Sequence, residues 1–251
     1  MLFADLDPWT ERFTDEGPIY AETLKYRELQ LSSLIVEPWN AATAFAFVII
    51  SLAWLLRLRG RYRQHPFIML CLPLLLIGGI GGTLYHGLRR YGVFLAMDVL
   101  PIVILVLAGS VYLWIRLRPP RWVIPSLVLL FALFSALSWV FHSHVAINIQ
   151  YAMLAVSVIV PVVIVLVRTR FRHFELIRLS LIAFGFALLF RFLDPLRPPI
   201  LPMGTHWLWH LGGAGAVAFL AEYFYRLERD EIPGLALKSA PAPATPAQLP
   251  S

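Results

Sequence analysis

Seven long apolar runs dominate this chain of 251 residues and restrict what it can fold into. Each run is about 20 residues long, the length that an α-helix needs to cross the hydrocarbon core of a bilayer. Lipid offers the backbone no hydrogen-bond partner, so each run must be helical there. The sequence therefore predicts an all-α fold class, a polytopic membrane protein built as a seven-transmembrane helix bundle. The predicted spans are residues 39–57, 67–88, 93–115, 122–141, 146–168, 176–194 and 206–225.

The composition agrees with a membrane protein and excludes two other classes. Hydrophobic residues make up 59% of the chain and charged residues only 14%, which is more apolar surface than a soluble domain can bury. The net charge of +6 would suit a nucleic-acid partner, but the arginines lie in the joints between apolar runs. There they report membrane orientation, so we predict no nucleic-acid partner. The single cysteine, Cys71, excludes a disulfide framework.

Three regions follow from the distribution of apolar and polar residues. Residues 1–36 are polar and acidic and form a predicted extracytoplasmic N-terminal arm. Residues 37–228 hold the seven spans and form the membrane domain. Residues 229–251 are rich in Pro and Ala, and we predict a disordered cytoplasmic tail.

Arginine is concentrated in alternate joints, after the first, third and fifth runs, and this pattern predicts the orientation. Basic residues in short loops favour the cytoplasmic side of a membrane. We therefore predict an N-terminus outside and a C-terminus in the cytoplasm. The arginines of these joints are Arg57, Arg59, Arg61, Arg63, then Arg116, Arg118, Arg121, then Arg168, Arg170, Arg172 and Arg178.

Histidines and one aspartate lie at a common depth in three of the predicted spans. His206 and His210 are four residues apart, so they project from one face of the seventh helix. His86 lies near the outer end of the second span, and Asp98 lies shortly after the start of the third. Ionisable residues inside spans are costly and indicate a partner or a role. The topology therefore predicts that these four side chains meet in the outer leaflet.

The three imidazoles favour a single zinc ion over haem. Three neutral histidines leave a fourth tetrahedral position for water, as in catalytic zinc sites. Haem usually takes axial histidines from facing helices, whereas a pair four residues apart suits one small ion. Zinc activates water and polarises a carbonyl, so the pattern predicts metal-assisted hydrolysis. Asp98 would act as general base or accept a hydrogen bond from a ligand histidine.

Several motifs carry a resemblance to a known family. Gly-Gly-Thr-Leu-Tyr-His at 81–86, Met-Asp-Val-Leu-Pro at 97–101 and Gly-Thr-His-Trp-Leu-Trp-His at 204–210 resemble the alkaline ceramidases, which belong to the CREST-type seven-helix hydrolase superfamily. Glu-Pro-Trp-Asn at 37–40 and Leu-Phe-Arg-Phe-Leu-Asp at 189–194 resemble the same family. The resemblance covers residues 22–226 and is closest to the bacterial ceramidase-domain proteins.

The resemblance implies a zinc amidase in the bacterial inner membrane with its active site near the outer leaflet. His86, His206 and His210 fall on the family's zinc-ligand positions, and Asp98 falls on the position of its motif acid. The implied substrate is a lipid taken from the membrane, a ceramide-like N-acyl sphingoid base that is split into fatty acid and amine. Eukaryotic members also bind calcium through an acidic N-terminal segment, which implies Glu28 and Glu37 as calcium ligands here.

The chain departs from the family's pattern in two places. The family has a serine one turn before its first histidine, and Gly82 takes that place here. Thr83 is three residues before His86, on roughly the same helix face, and is predicted to supply the missing hydroxyl as a hydrogen-bond donor to the developing oxyanion. The interval from His86 to Asp98 is one residue longer than the family's.

Two alternatives to a ceramide-like amidase stay open at this point. One is a non-catalytic seven-helix lipid receptor or lipid-binding protein that keeps a structural zinc, which the loss of the family serine favours. The other is a hydrolase of a different lipid, because an apolar pocket selects acyl chains better than head groups. Retention of Asp98 and the open fourth zinc position favour an enzyme.

Overall fold

The computed structural model describes residues 15, 17–28, 34–117, 121–140, 144–196 and 198–230. Within these residues the regular structure is helical, and each of the seven predicted spans falls on one of the helices α2 to α8. A short 3-10 turn at Tyr62–Gln64 joins α2 to α3. The helices are α1 (Ala21–Glu28), α2 (Pro38–Arg57), α3 (Pro66–Leu88), α4 (Gly92–Leu117), α5 (Val123–Val140), α6 (His144–Arg168), α7 (Phe174–Leu193) and α8 (His206–Asp230).

The predicted fold class, an all-α membrane protein, is confirmed. Helices α2, α3, α4 and α7 are long and apolar enough to cross a membrane. The count of seven spans and the orientation of the two termini stay predictions. So does the division into arm, membrane domain and tail, because most of the arm and residues 231–251 lie outside the described residues.

The helices pack in an order that differs from their order in the chain. Helix α8 packs against α7 on one side and α2 on the other, and α2 packs in turn against α3. Helix α3 also touches α8 and packs against α4, which continues the bundle to α6 and then α5. The helices α2, α3, α4 and α8 therefore form a contiguous group, and they carry the residues predicted for the metal site.

The largest apolar cluster lies at one end of the bundle. Leu58, Ile68, Leu113 and Tyr223 are its most deeply buried members, and they come from the ends of α2 and α4, the start of α3 and the last part of α8. This is the end with the Arg-rich joints, which we predict to be cytoplasmic. The apolar packing at this end holds the bundle together and leaves the opposite end for polar groups.

Two glycines in α3 allow its neighbours to approach closely at that opposite end. A β-carbon at Gly79 would lie 2.7 Å from the backbone nitrogen of Val48 in α2. A β-carbon at Gly81 would lie 2.5 Å from the carbonyl carbon of Met97 in α4. Neither distance is tolerable, so these positions require glycine. The close approach places the first turns of α4 beside the last turns of α3.

The described part of the N-terminal arm folds back over this polar end of the bundle. The carboxylate of Glu22 accepts hydrogen bonds from the backbone nitrogens of Trp39 and Asn40, at 2.8 and 3.0 Å. These nitrogens belong to the first turn of α2, which has no intrahelical partner for them. The backbone nitrogen of Ala21 donates to Oδ2 of Asp194 at 3.1 Å. The arm is thereby fixed to both α2 and the segment after α7.

Candidate metal centre

Three buried histidines from two helices meet at the polar end of the bundle. His86 lies in the last turn of α3, and His206 and His210 lie on one face of α8. One ring nitrogen from each lies within 4.8 Å of the others. The three residues are 0%, 3% and 4% exposed, so the cluster is shielded from bulk solvent. The cluster that the sequence predicted is therefore formed, and it offers a place for a metal ion.

The hydrogen bonds of two of these rings fix where their lone pairs point. Nδ1 of His86 donates to Oε2 of Glu37 at 2.6 Å, and Nδ1 of His210 donates to the carbonyl oxygen of Asn40 at 3.0 Å. Both acceptors lack a proton to give, so each Nδ1 carries the hydrogen and each Nε2 keeps its lone pair. Nε2 of His86 is buried and has no hydrogen-bond partner among the described residues. A buried lone pair without a donor is what a metal ligand requires.

This donor set fits zinc. Neutral imidazole nitrogens held by acceptors on their other nitrogen are the usual form of zinc-bound histidine. Three imidazole ligands leave one tetrahedral position for water or substrate. His86, His206 and His210 would therefore hold a zinc ion with an open side.

His206 is positioned by the carboxylate that precedes its helix. Oδ1 of Asp194 accepts hydrogen bonds from the backbone nitrogens of Thr205 and His206, at 2.7 and 3.0 Å. A carboxylate at a helix start satisfies amides that lack intrahelical partners and suits the positive end of the helix dipole. Asp194 therefore fixes where α8 begins and, with it, the position of His206.

Asp98 lies beside the histidine cluster, against the helix that carries His86. A β-carbon built at Gly82 would lie 2.6 Å from Oδ1 of Asp98. The absence of a side chain at position 82 therefore makes room for the carboxylate, and the extra residue between His86 and Asp98 does not remove Asp98 from the site.

Thr83 uses its hydroxyl within its own helix. The side chain is half-buried, and Oγ1 donates to the carbonyl oxygen of Gly79 at 2.8 Å. Such a bond to the preceding turn is common for threonine in a helix. To donate to an oxyanion the hydroxyl would have to leave Gly79, so the predicted catalytic role of Thr83 stays a prediction.

Glu37 is the most heavily bonded carboxylate of the site. Oε2 accepts from His86 and, at 3.0 Å, from Nδ2 of Asn40. Oε1 accepts from the Arg89 guanidinium at 2.5 Å and from the Thr23 hydroxyl. Burial alone would raise the pKa of Glu37, but Arg89 and the His86 hydrogen bond outweigh it and hold that pKa at about 2. Glu37 is therefore a carboxylate with both oxygens occupied.

The predicted calcium ligands do not come together as a described site. The side chain of Glu28 lies outside the described residues, and the oxygens of Glu37 already accept four hydrogen bonds. Its partners are Arg89, His86, Thr23 and Asn40, which together occupy both carboxylate oxygens. These observations do not fit the implied calcium ion.

Sequence reasoning missed the arm residues that reach the centre. The ring of Tyr20 stacks on His206 with 3.9 Å between ring centroids and lies 5.3 Å from the ring of His86. Burial raises the pKa of the Tyr20 phenol, so it stays protonated. Arg89 is fully buried and binds Asp15. One feature of the sequence could have indicated a special role for Arg89. It directly follows a predicted span, on the predicted outer side of the membrane, where the joints contain few arginines.

Comparison with known proteins identifies a family. A protein-family model described as Ceramidase matches residues 27–225. The matched range includes the three histidines, Asp98 and Glu37, but it begins after Tyr20. No curated protein matches the chain.

Proposed function

Because the chain belongs to the ceramidase family, we propose that it is a zinc-dependent membrane amidase that splits ceramide-like N-acyl lipids into fatty acid and sphingoid base. The observation that carries this proposal is the buried triad of histidines. Two of its Nδ1 atoms are tied to acceptors, and one buried Nε2 has no partner among the described residues. The family supports a hydrolase, and the triad supports the metal.

The residues around the triad would hold and orient the ion. When bound, zinc would polarise the amide carbonyl and lower the pKa of water toward neutrality. Glu37 fixes the ring of His86 and Asn40 fixes that of His210, while Asp194 fixes the start of the helix that carries His206 and His210. Preorganisation of this kind lets the site bind the ion without rearranging the bundle.

Asp98 is the proposed general base. Hydrolysis places the oxygen of water on the acyl carbon, breaks the carbon–nitrogen bond and leaves a proton for the amine. A carboxylate beside the metal ligands can accept the proton of the attacking water and pass it to the leaving nitrogen. Thr83 is the proposed donor to the oxyanion, provided its hydroxyl turns away from Gly79.

The substrate would enter from the side, within the membrane. The described part of the arm lies over the polar end of the bundle, where Tyr20 covers His206. Helices α4 and α7 expose large apolar side chains along their lengths, including Leu100, Ile104, Phe186 and Leu189. Such surfaces suit acyl chains, and an amide group beside them would reach the triad at headgroup depth. We place this end of the bundle near the outer leaflet.

Metal analysis joined to a lipid screen tests the proposal. Purified protein in nanodiscs should contain about one zinc per chain and release fatty acid from N-acylsphingosine. His206→Ala should lose both the metal and the activity. His173→Ala is the matched control, since it changes a histidine at the start of α7, at the opposite end of the bundle.

The outcomes separate the proposal from its alternatives. Zinc-loaded protein that cleaves N-acylethanolamines but no N-acylsphingosine would support a hydrolase of a different lipid. Zinc-loaded protein that cleaves no N-acyl lipid would support the lipid-binding protein with a structural zinc. Absence of zinc from the wild type would refute the metal centre itself.

A further inference from the structure

Arg89 lies directly after α3 and is buried without exposure to solvent. Its exposed fraction is 1%, and its backbone adopts a left-handed conformation with φ of 46°. That conformation ends α3 and turns the side chain back toward the arm. A buried arginine requires a carboxylate partner and acceptors for its five N–H groups.

All five donors of the guanidinium have acceptors, and three of the four acceptor residues belong to the N-terminal arm. Nε and Nη2 donate to the two oxygens of Asp15 at 2.8 and 3.1 Å, which is a two-pronged pairing. Nη2 also donates to the carbonyl oxygen of Pro18 at 2.9 Å. Nη1 donates to Oε1 of Glu37 at 2.5 Å and to Oγ1 of Thr23 at 3.4 Å. Arg89 therefore joins the arm to the first residue before α2.

Glu37 continues this connection to the metal centre. Its Oε1 faces Arg89, and its Oε2 accepts the proton of His86 Nδ1 at 2.6 Å. The order of contacts is thus Asp15, Arg89, Glu37 and His86, and all four side chains are buried. One guanidinium between two carboxylates leaves a single negative charge, on the side of the ligand histidine. A carboxylate behind a metal-binding histidine fixes its ring and strengthens it as a ligand.

We propose that Arg89 is a positioning residue for the metal centre, which clamps Glu37 against His86 and locks the arm over the site without a calcium ion. This inference rests on the proposed metal centre but not on the proposed substrate. The guanidinium supplies the positive charge that the carboxylates of Asp15 and Glu37 require. A calcium ion beside it would place two cations together in a buried site, at a large electrostatic cost.

The contacts of Arg89 extend beyond the part of the chain that the family model matches. Arg89 and Glu37 lie within the matched range, but Asp15, Pro18 and Thr23 lie before residue 27. The described contacts therefore add a segment of this chain to the metal centre.

Zinc affinity of Arg89 variants tests the positioning role. Arg89→Met and Arg89→Lys should each weaken zinc binding about 10- to 100-fold, the usual effect of removing a partner behind a metal ligand. Arg89→Lys should bind zinc more weakly than the wild type although lysine keeps the positive charge, because its single ammonium cannot pair with Asp15 and Glu37 at once. Arg90→Met, which changes the exposed neighbouring arginine, is the matched control and should bind zinc as the wild type does. Affinity is measured by competition with a zinc chelator.

The result that would overturn the proposal is wild-type zinc affinity in Arg89→Met or in Arg89→Lys. If both variants fail to fold, Asp15→Asn decides the question, because Asp15 lies outside the helices and its carboxylate accepts hydrogen bonds from Arg89 and the backbone nitrogen of Gly17. Asp15→Asn should weaken zinc binding and speed hydrogen exchange of residues 17–28. Wild-type affinity and exchange in this variant would also overturn the proposal.

A calcium titration tests whether the arm is held over the site without a calcium ion. Addition of millimolar calcium to calcium-free wild-type protein should change neither its melting temperature nor its zinc affinity. A higher melting temperature or a higher zinc affinity on addition of calcium would show that a calcium ion helps to hold the arm over the site. These tests stay distinct from the proposed function, since wild-type protein that binds no zinc refutes the metal centre before any Arg89 variant is compared.

Discussion

Gly82 in α3 and Asp98 in α4 are packed so closely that a β-carbon at position 82 would lie 2.6 Å from Asp98 Oδ1. The resemblance described above places a serine at this position in other members of the family. In this chain the space of that side chain is taken by the carboxylate. Gly82 is therefore part of how Asp98 reaches the centre.

We predict that Gly82→Ser and Gly82→Ala both lower kcat by about 10²-fold, because either side chain displaces the Asp98 carboxylate and a misplacement of about 1 Å has an effect of that size. The zinc content should not change. Gly78→Ala is the control, since a β-carbon there would lie 3.4 Å from Pro101, an ordinary contact. A higher kcat in Gly82→Ser would show that the serine hydroxyl is needed and that Asp98 accommodates it.

Asp98→Asn should retain zinc and lose activity. The amide keeps the shape of the carboxylate but cannot accept the proton of water, and general-base assistance contributes about 10²- to 10⁴-fold. The measurement is kcat with metal content determined on the same sample. An unchanged kcat would leave the enzyme in place and remove Asp98 from the mechanism.

Thr83→Val should reduce kcat less than Asp98→Asn does, and Thr83→Ser should leave it nearly unchanged. The reason is that a serine hydroxyl can make the same bond to an oxyanion, whereas valine has the size of threonine without the hydroxyl. Equal kcat in all three proteins would mean that the bond of Thr83 to Gly79 is its whole role.

Glu37→Gln should weaken zinc binding about 10- to 100-fold. The amide removes the negative charge that Arg89 and His86 share, and removal of one partner from a buried ion pair destabilises a protein by about 3–5 kcal/mol. A lower melting temperature should therefore accompany the weaker binding. Glu175→Gln, which changes an exposed carboxylate, is the control, and wild-type zinc affinity in Glu37→Gln would contradict the role of Glu37.

Topology is tested with reporter fusions. Fusions after Gly60 and Arg118 should report the cytoplasm, because they follow the Arg-rich joints, and a fusion near Ser143 should report the outside. A cytoplasmic signal at Ser143 would refute the predicted orientation and with it the outer-leaflet position of the metal centre.

The helices and the histidine triad could be predicted because they depend on local patterns. Apolar runs of about 20 residues gave bounds such as 67–88, close to the observed Pro66–Leu88. The seventh run was predicted to end at 225, whereas α8 continues to Asp230. The polar residues of that last turn, among them Glu228, are helical outside the apolar stretch, so hydropathy could not include them.

The contacts of Arg89 and Glu37 could not be predicted from the sequence, because they join residues that are distant in the chain and chemically ordinary. Arg89 and Asp15 are 74 positions apart, and His86 and Glu37 are 49 positions apart. Nothing in an acidic arm shows which carboxylate will be buried. Family resemblance assigned Glu37 to calcium, whereas the structure places a guanidinium and a histidine against it.

The docking of the arm has a consequence for the order in which the protein is assembled. Residues 15–23 leave the ribosome before any helix of the bundle, yet their partners include Asp194 and His206, near the other end of the chain. During membrane insertion the arm can therefore complete its contacts only after α8 has been delivered. A nascent chain that stalls before α8 would lack the contact of Tyr20 with His206. Docking of the segment that is synthesised first therefore depends on the helix that is inserted last.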